Sequence, residues 1–184
     1  MILPYDELDE VRSRLEEEAS ETSPSGVKKY DPKKACDIVL DYLTFCYSCG
    51  VQNANEMMNT SYVAQFDELN AAVTKRIEGK NYIDRVTEYA EQGDMFGIML
   101  VAETDATRVM NTGADTTAVR GGARYKTWHT MEDDRVRSTH AFIQGMQVGI
   151  NDVFVTYDGD SARFPGDFGF VENNANCRCY LSYS

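Results

Sequence analysis

The sequence predicts an α+β fold: a helical N-terminal half followed by a small mixed α/β C-terminal region with short antiparallel strands. Three observations predict it. Apolar residues recur at helical spacing from Tyr5 to about Met110. Beyond Asn111-Thr112-Gly113 that period gives way to short segments divided by turn signals such as Asp158-Gly159-Asp160 and Phe164-Pro165-Gly166. A chain of 184 residues, 42% hydrophobic and 26% charged, suits an ordinary globular core rather than a disordered polymer.

The elements follow in order. Tyr5 to Ala19 places Leu8, Val11 and Leu15 on one stripe among acids, which predicts a thin amphipathic helix. Ser20 to Gly26, with Thr22, Ser23, Pro24 and Ser25, reads as a short connection. Asp31-Pro32 fits an N-cap followed by proline at the first helical position, and Ile38, Val39, Tyr42, Leu43, Phe45 and Cys46 then predict a buried helix. Further helices are predicted over Val63 to Ile77, Tyr82 to Glu91 and Asp94 to about Met110, the last apolar all round and therefore central. Arg124 to Thr130 reads as a strand, Arg135 to Phe142 as a helical turn, and Asp152 to Tyr157 and Cys177 to Ser182 as further strands. The organisation is thus an acidic N-terminal helix and connection over 1–26, a helical region over 27–113 and an α+β region over 114–184.

Charge limits the function classes. Asp and Glu number 30 against 18 Lys and Arg, a formal net charge of -12, so the surface as a whole repels polyanions. Basic residues gather locally at Arg120, Arg124, Lys126, Arg135 and Arg137, the candidate nucleic-acid-binding set. The alternative is that they pair with neighbouring carboxylates, Glu132, Asp133 and Asp134 among them. Met1 is followed by neither a basic segment nor an apolar run of signal-peptide length, and nothing approaches the roughly 20 apolar residues of a bilayer span. An intracellular product with no membrane partner is expected. Five cysteines, two of them in a C-x-C pair, do not resemble a secreted disulfide framework, so reduced thiols are expected.

No Gly-rich phosphate loop, paired-histidine metal motif or nucleophile elbow is present, which leaves the C-terminal third as the bearer of any chemistry. Arg137 and His140 are three apart and would share a helical face, where guanidinium groups could hold a phosphodiester and the imidazole act as base. The same run could equally be a structural network. Cys177 and Cys179 fall at period two, so their thiols face one side, a spacing suited to two legs of a tetrahedral metal site with His140 and too strained for a disulfide. Packing as small hydrophobes is the competing reading. Cys46 and Cys49 lie inside a helical pattern without a second pair, and read as packed thiols. Trp128 could stack a base or anchor the C-terminal layer, its indole N–H then seeking an oxygen acceptor.

One ordered succession is more specific than any of its parts: Arg85-Val86, Ala102-Glu103-Thr104, Arg108, Asn111-Thr112-Gly113, Lys126-Thr127-Trp128, Asp134-Arg135-Val136-Arg137, His140, Tyr157-Asp158-Gly159-Asp160, Pro165-Gly166 and Asn176-Cys177-Arg178-Cys179. From about Arg76 to Leu181 it resembles the tailed-phage head-morphogenesis proteins, minor capsid proteins similar to the Mu F protein. The resemblance implies a non-enzymatic minor head protein with portal and capsid or scaffold proteins as partners, and DNA as a further contact. It implies a virion-interior location after assembly in the cytoplasm of a bacterial host. Carried over, the marked positions are Trp128, Asp134, Arg135, Arg137, His140, Gly145, Cys177, Arg178 and Cys179. No cofactor is expected except for zinc at Cys177, Cys179 and His140. The alternative function is a nucleic-acid- or nucleotide-processing enzyme, or a toxin-like domain, using His140 with Arg135 and Arg137.

Overall fold

A computed structural model describes residues 3–19 and 29–184. The connection expected over Ser20 to Gly26 lies outside the described residues. A single 3-10 turn, Pro4–Glu7, leads into α1 (Leu8–Glu18), which buries Val11 and Leu15 as its stripe predicts. Then come α2 (Pro32–Met58), α3 (Phe66–Thr74), α4 (Tyr82–Gln92) and α5 (Met95–Arg120). The C-terminal region holds β1 (Tyr125–His129), α6 (Ser138–Phe142), β2 (Gln147–Gly149), β3 (Phe154–Val155), β4 (Ser161–Ala162), α7 (Val171–Asn174) and β5 (Tyr180–Tyr183). The fold class is α+β, as expected.

Local chemistry accounts for the helix ends. Asp31 caps α2 by accepting from the backbone N–H groups of Lys33 (2.9 Å) and Lys34 (3.2 Å), and Asn59 closes it in the left-handed region. Asn81 and Asp84 form a reciprocal capping box on α4, and Gly93 at φ 72 ends it. The helix expected over Val63 to Ile77 is shorter at both ends. At its start the Asn55 side chain holds the Tyr62 backbone by both its N–H and C=O, at 2.8 Å each, and keeps it extended. At its finish Ile77 and Lys80 exchange backbone hydrogen bonds around Glu78 and Gly79, both at positive φ, a two-residue hairpin turn in place of a last helical turn.

The larger correction concerns α5, which runs ten residues past the expected end at Met110. Asn111, Thr112 and Gly113 suggested a break, yet the polar side chains bond back to their own helix: Asn111 to Thr107 O (2.8 Å), Thr112 to Arg108 O (2.7 Å) and Thr117 to Gly113 O (2.8 Å). Gly113 is there for closeness. A Cβ on it would sit 2.6 Å from the Tyr47 carbonyl oxygen, so α5 meets α2 nearly backbone to backbone.

Two apolar clusters result. One joins α1 to α5 through residues such as Leu15, Val39, Leu43, Val86, Ile98 and Val109. The other gathers Trp128, Ile143, Phe154, Phe168 and Leu181 against Ala54, Ala114 and Ala118 at the C-terminal ends of α2 and α5. The three-stranded sheet is ordered β2-β1-β5, antiparallel throughout, with Trp128 opposite Leu181 and Lys126 opposite Val148. β3 and β4 form a separate two-stranded ribbon.

Candidate functional site

Along β1 the side chains alternate, burying Lys126 and Trp128 on one face and leaving Thr127 and His129 half-buried on the other. That alternation overturns one expectation. Lys126 is 0% exposed and reaches Asp115 of α5 at 3.6 Å, while Arg163 bonds the same carboxylate at 3.0 Å. Its ammonium faces inward, so it cannot contact a phosphate. Burial lowers the Lys126 pKa and raises that of Asp115, each partly countered by the other's charge. Arg120 lies on another face, paired with Glu68 at 3.1 Å, and Arg124 is exposed beyond the end of α5. The five basic positions therefore do not form one patch.

Of the two readings of Trp128, the anchor of the C-terminal layer holds. It is fully buried, with its ring edge-on to His140 (5.6 Å) and Phe154 (5.1 Å), and cannot stack a base. Its indole N–H has no hydrogen-bonded oxygen; it lies close enough to the Cys179 sulfur to favour that thiolate.

The structure does bring together the rest. Arg135, Arg137, Arg178, His140, Cys177 and Cys179 line one cleft with a cavity of about 10 Å³, room for about one water. His140 rises from α6, 1% exposed, stacked on Phe168 at 5.2 Å. The Asn174 side-chain amide presents Phe168 by accepting from its N–H (3.0 Å) and donating to its carbonyl (2.8 Å). His140 Nδ1 stands 3.4 Å from the Cys179 sulfur and 3.7 Å from that of Cys177, while Nε2 has no hydrogen-bond partner. The three ligand-type atoms lie within 4.8 Å of one another.

Cys177 and Cys179 sit in the extended segment just before β5 rather than within it, 2% and 4% exposed, and all five cysteines are free thiols. Residues that sequence reasoning missed hold this segment. Thr107 donates to the Cys177 carbonyl and Asn111 to that of Cys179 at 3.2 Å, both from α5, and the Tyr5 hydroxyl bonds Thr107 at 2.8 Å. Asn111 belonged to the motif run, but nothing local told that its side chain reaches sixty-eight residues along the chain. A hydrogen bond from the Cys179 thiol, then the nearby imidazole, lowers the Cys177 thiol's pKa against its burial, whereas Cys179, which donates that bond and is buried, is pushed well up.

The arginines around the cleft are partly committed. Arg178 Nη2 donates to both carboxylate oxygens of Asp133, 2.7 Å to each, and so lowers that carboxyl's pKa. Arg137 donates to the Ala175 carbonyl, and Arg135 is exposed. Asp134 is exposed and lies outside the cleft lining. Gly145 turns the chain at φ 71 and donates to Trp128 O at 2.9 Å, a structural role. His129, the other histidine, stacks on Tyr180 and bonds Ser182, away from the sulfurs.

Comparison with known proteins bears on this arrangement. A segment of 124 residues is 31% identical to the NAD(+)--arginine ADP-ribosyltransferase EFV of Enterococcus faecalis, covering 61% of this chain and 25% of that protein. Over 87 residues the chain is 28% identical to the Minor head protein GP7 of Bacillus phage SPP1, covering 46% of this chain and 28% of that one. The chain thus spans about a quarter of the length of these curated relatives. No solved structure matches it. The family described as Phage Mu protein F like protein matches residues 53–182, which takes in α5, the C-terminal region from β1 to all but the last residue of β5, and every member of the cleft. With well over half of its length so matched, the chain belongs to the Mu F-like family of phage proteins.

Proposed function

We propose that this protein is a minor component of a tailed-phage head, acting in head morphogenesis by binding other head proteins, the portal and procapsid first among them. Assembly in the host cytoplasm and a final place inside the virion head belong to the same reading. The observation that carries it is the family match over residues 53–182, which the similarity to a minor head protein reinforces. The geometry supports an assembly role over a catalytic one. His140 is enclosed by Phe168 and Trp128 at 1% exposure, and a cavity of about 10 Å³ admits no nucleotide. Among the described residues no helix is long and apolar enough to cross a membrane.

DNA contact, on this reading, is weak and passes through exposed Arg124 and Arg135, so few phosphates are neutralised and affinity falls with a shallow salt slope. The test is co-purification of the full chain with portal protein and its incorporation into procapsids, with a minor capsid stoichiometry expected. Procapsids that assemble with a full complement of portal yet exclude this chain would refute it.

A second reading, an enzyme or toxin-like domain, is favoured by the similarity to an ADP-ribosyltransferase. Incubation with labelled NAD+ and an arginine acceptor, and with labelled DNA and RNA plus divalent metal, separates the two. Turnover abolished by His140→Ala would replace the assembly reading.

A further inference from the structure

We infer that His140 Nδ1 and the Cys177 and Cys179 sulfurs form a soft-metal site that takes one Zn²⁺ per chain, with a water in the fourth position. The inference is independent of the head-protein reading. It rests on geometry. Zn–S bonds of about 2.3 Å and a Zn–N bond of about 2.0–2.1 Å at tetrahedral angles place sulfur and nitrogen about 3.6 Å apart. The two observed separations, 3.4 and 3.7 Å, straddle that value. A hydrogen bond alone explains this less well, because one imidazole N–H can point at only one sulfur, whereas a metal between the three atoms requires Nδ1 to lie near both.

The donor set is chemically coherent. Two thiolates and a neutral imidazole balance a divalent cation and are the ligands that select zinc over magnesium or calcium. The surrounding guanidinium groups of Arg135, Arg137 and Arg178 then face a neutral centre rather than a bare cation, and the cavity of about 10 Å³ beside it accepts a single water. The ligands are also held before any metal arrives. Thr107 and Asn111 pin the backbone carbonyls of both cysteines, while Phe168 and Trp128 set the plane of the imidazole. Among the described residues no other histidine, cysteine or carboxylate trio converges in this way.

The experiment uses the full chain, purified under reducing conditions, stripped with a chelator and titrated with zinc. Expected are about one zinc per chain by elemental analysis and, at a hundredfold excess over the dissociation constant, a melting-temperature rise of about 5–10 °C that magnesium does not reproduce. Cobalt(II) in place of zinc should give thiolate charge-transfer absorption and tetrahedral visible bands. Cys177→Ser and His140→Asn should each lose stoichiometric binding; where either variant fails to fold, protection of both wild-type thiols from alkylation by zinc supplies the same reading. Substoichiometric metal with unchanged melting, or equal alkylation rates with and without zinc, overturns the proposal.

Discussion

Replacing Gly50 or Gly113 by alanine should destabilise the protein even though alanine is the better helix former. A Cβ at Gly113 would lie 2.6 Å from the Tyr47 carbonyl oxygen, and one at Gly50 only 1.9 Å from the Met110 carbonyl oxygen. Ordinary contact begins at 3.4 Å, so α2 and α5 would have to part by about 0.8 Å in the first case and about 1.5 Å in the second. Both obstacles are backbone, so no rotamer change relieves them. Overpacking of this kind costs about 1–3 kcal/mol, with Gly50 at the upper end. The gain in helix propensity returns about 1 kcal/mol. The net loss is then about 1 kcal/mol for Gly113→Ala and about 2 kcal/mol for Gly50→Ala, or drops in Tm of about 2–4 °C and about 4–8 °C for a chain of this size. Thermal melts followed by circular dichroism measure it, with Ser48→Ala on the exposed side of α2 as a control expected within about 0.5 kcal/mol of wild type. Gly50→Ala melting at or above wild type would refute the close crossing.

Other consequences are equally measurable. The sole tryptophan, buried among His140, Phe154 and Phe168, should emit at short wavelength and resist iodide quenching, and Trp128→Ala should cost about 3–5 kcal/mol in urea unfolding; an exposed-type spectrum contradicts the packing. Asp115→Ala leaves the Lys126 ammonium buried without its ion-pair partner, beside the like charge of Arg163 and with only the weaker field of Asp152 in its favour, and should cost about 3–5 kcal/mol, more than Lys126→Met, which leaves Asp115 paired to Arg163; equal urea midpoints would refute that ordering. The Asp158 carboxyl is held below the usual 3.8 chiefly by the Thr156 hydroxyl, so it adds stability above that pH which is lost as pH falls through its lower folded value; Asp158→Asn should flatten the acid limb of stability measured between about pH 5 and 2, and an unchanged slope would refute the assignment.

Much of this was legible in the residues. The Asp31-Pro32 start of α2 is local chemistry, and local chemistry is what a sequence displays directly. The period-two placing of Cys177 and Cys179 toward one side was legible for the same reason, and both sulfurs do face His140. Lys126 obeys the same alternation: two residues from Trp128 on a strand, it shares the tryptophan's buried face, and its positive charge by itself signals the opposite. The length of α5 was hidden because Asn111, Thr112 and Gly113 weaken an isolated helix, and only contact with Tyr47 and the cysteine carbonyls gives them a reason to be helical. The roles of Thr107, Asn174 and Phe168 depend on partners tens of residues away or on a loop's shape, neither of which has a periodic signature.

The convergence of the motif residues has a common cause in α5. Its buried polar side chains each reach a different part of the chain: Asp105 binds Arg85 at 2.5 Å, Arg108 donates to Ala72 O at 2.6 Å, Asn111 donates to the carbonyl of Cys179, and Asp115 faces Lys126 and Arg163. Gly166 packs so closely on Arg108 that a Cβ there would lie 2.7 Å from the Arg108 Cα. Apolar burial drives the elements together but tolerates sliding, because oil has no register. Satisfied polar contacts do not tolerate it, since a shift of one residue would strand a buried charge or carbonyl at a cost of several kcal/mol. Motif pieces scattered from Arg85 to Cys179 are therefore read as one specification: a single helix whose polar teeth set the position of α4, the Pro165-Gly166 turn, β1 and the cysteine segment, and thereby of the sulfurs that meet His140.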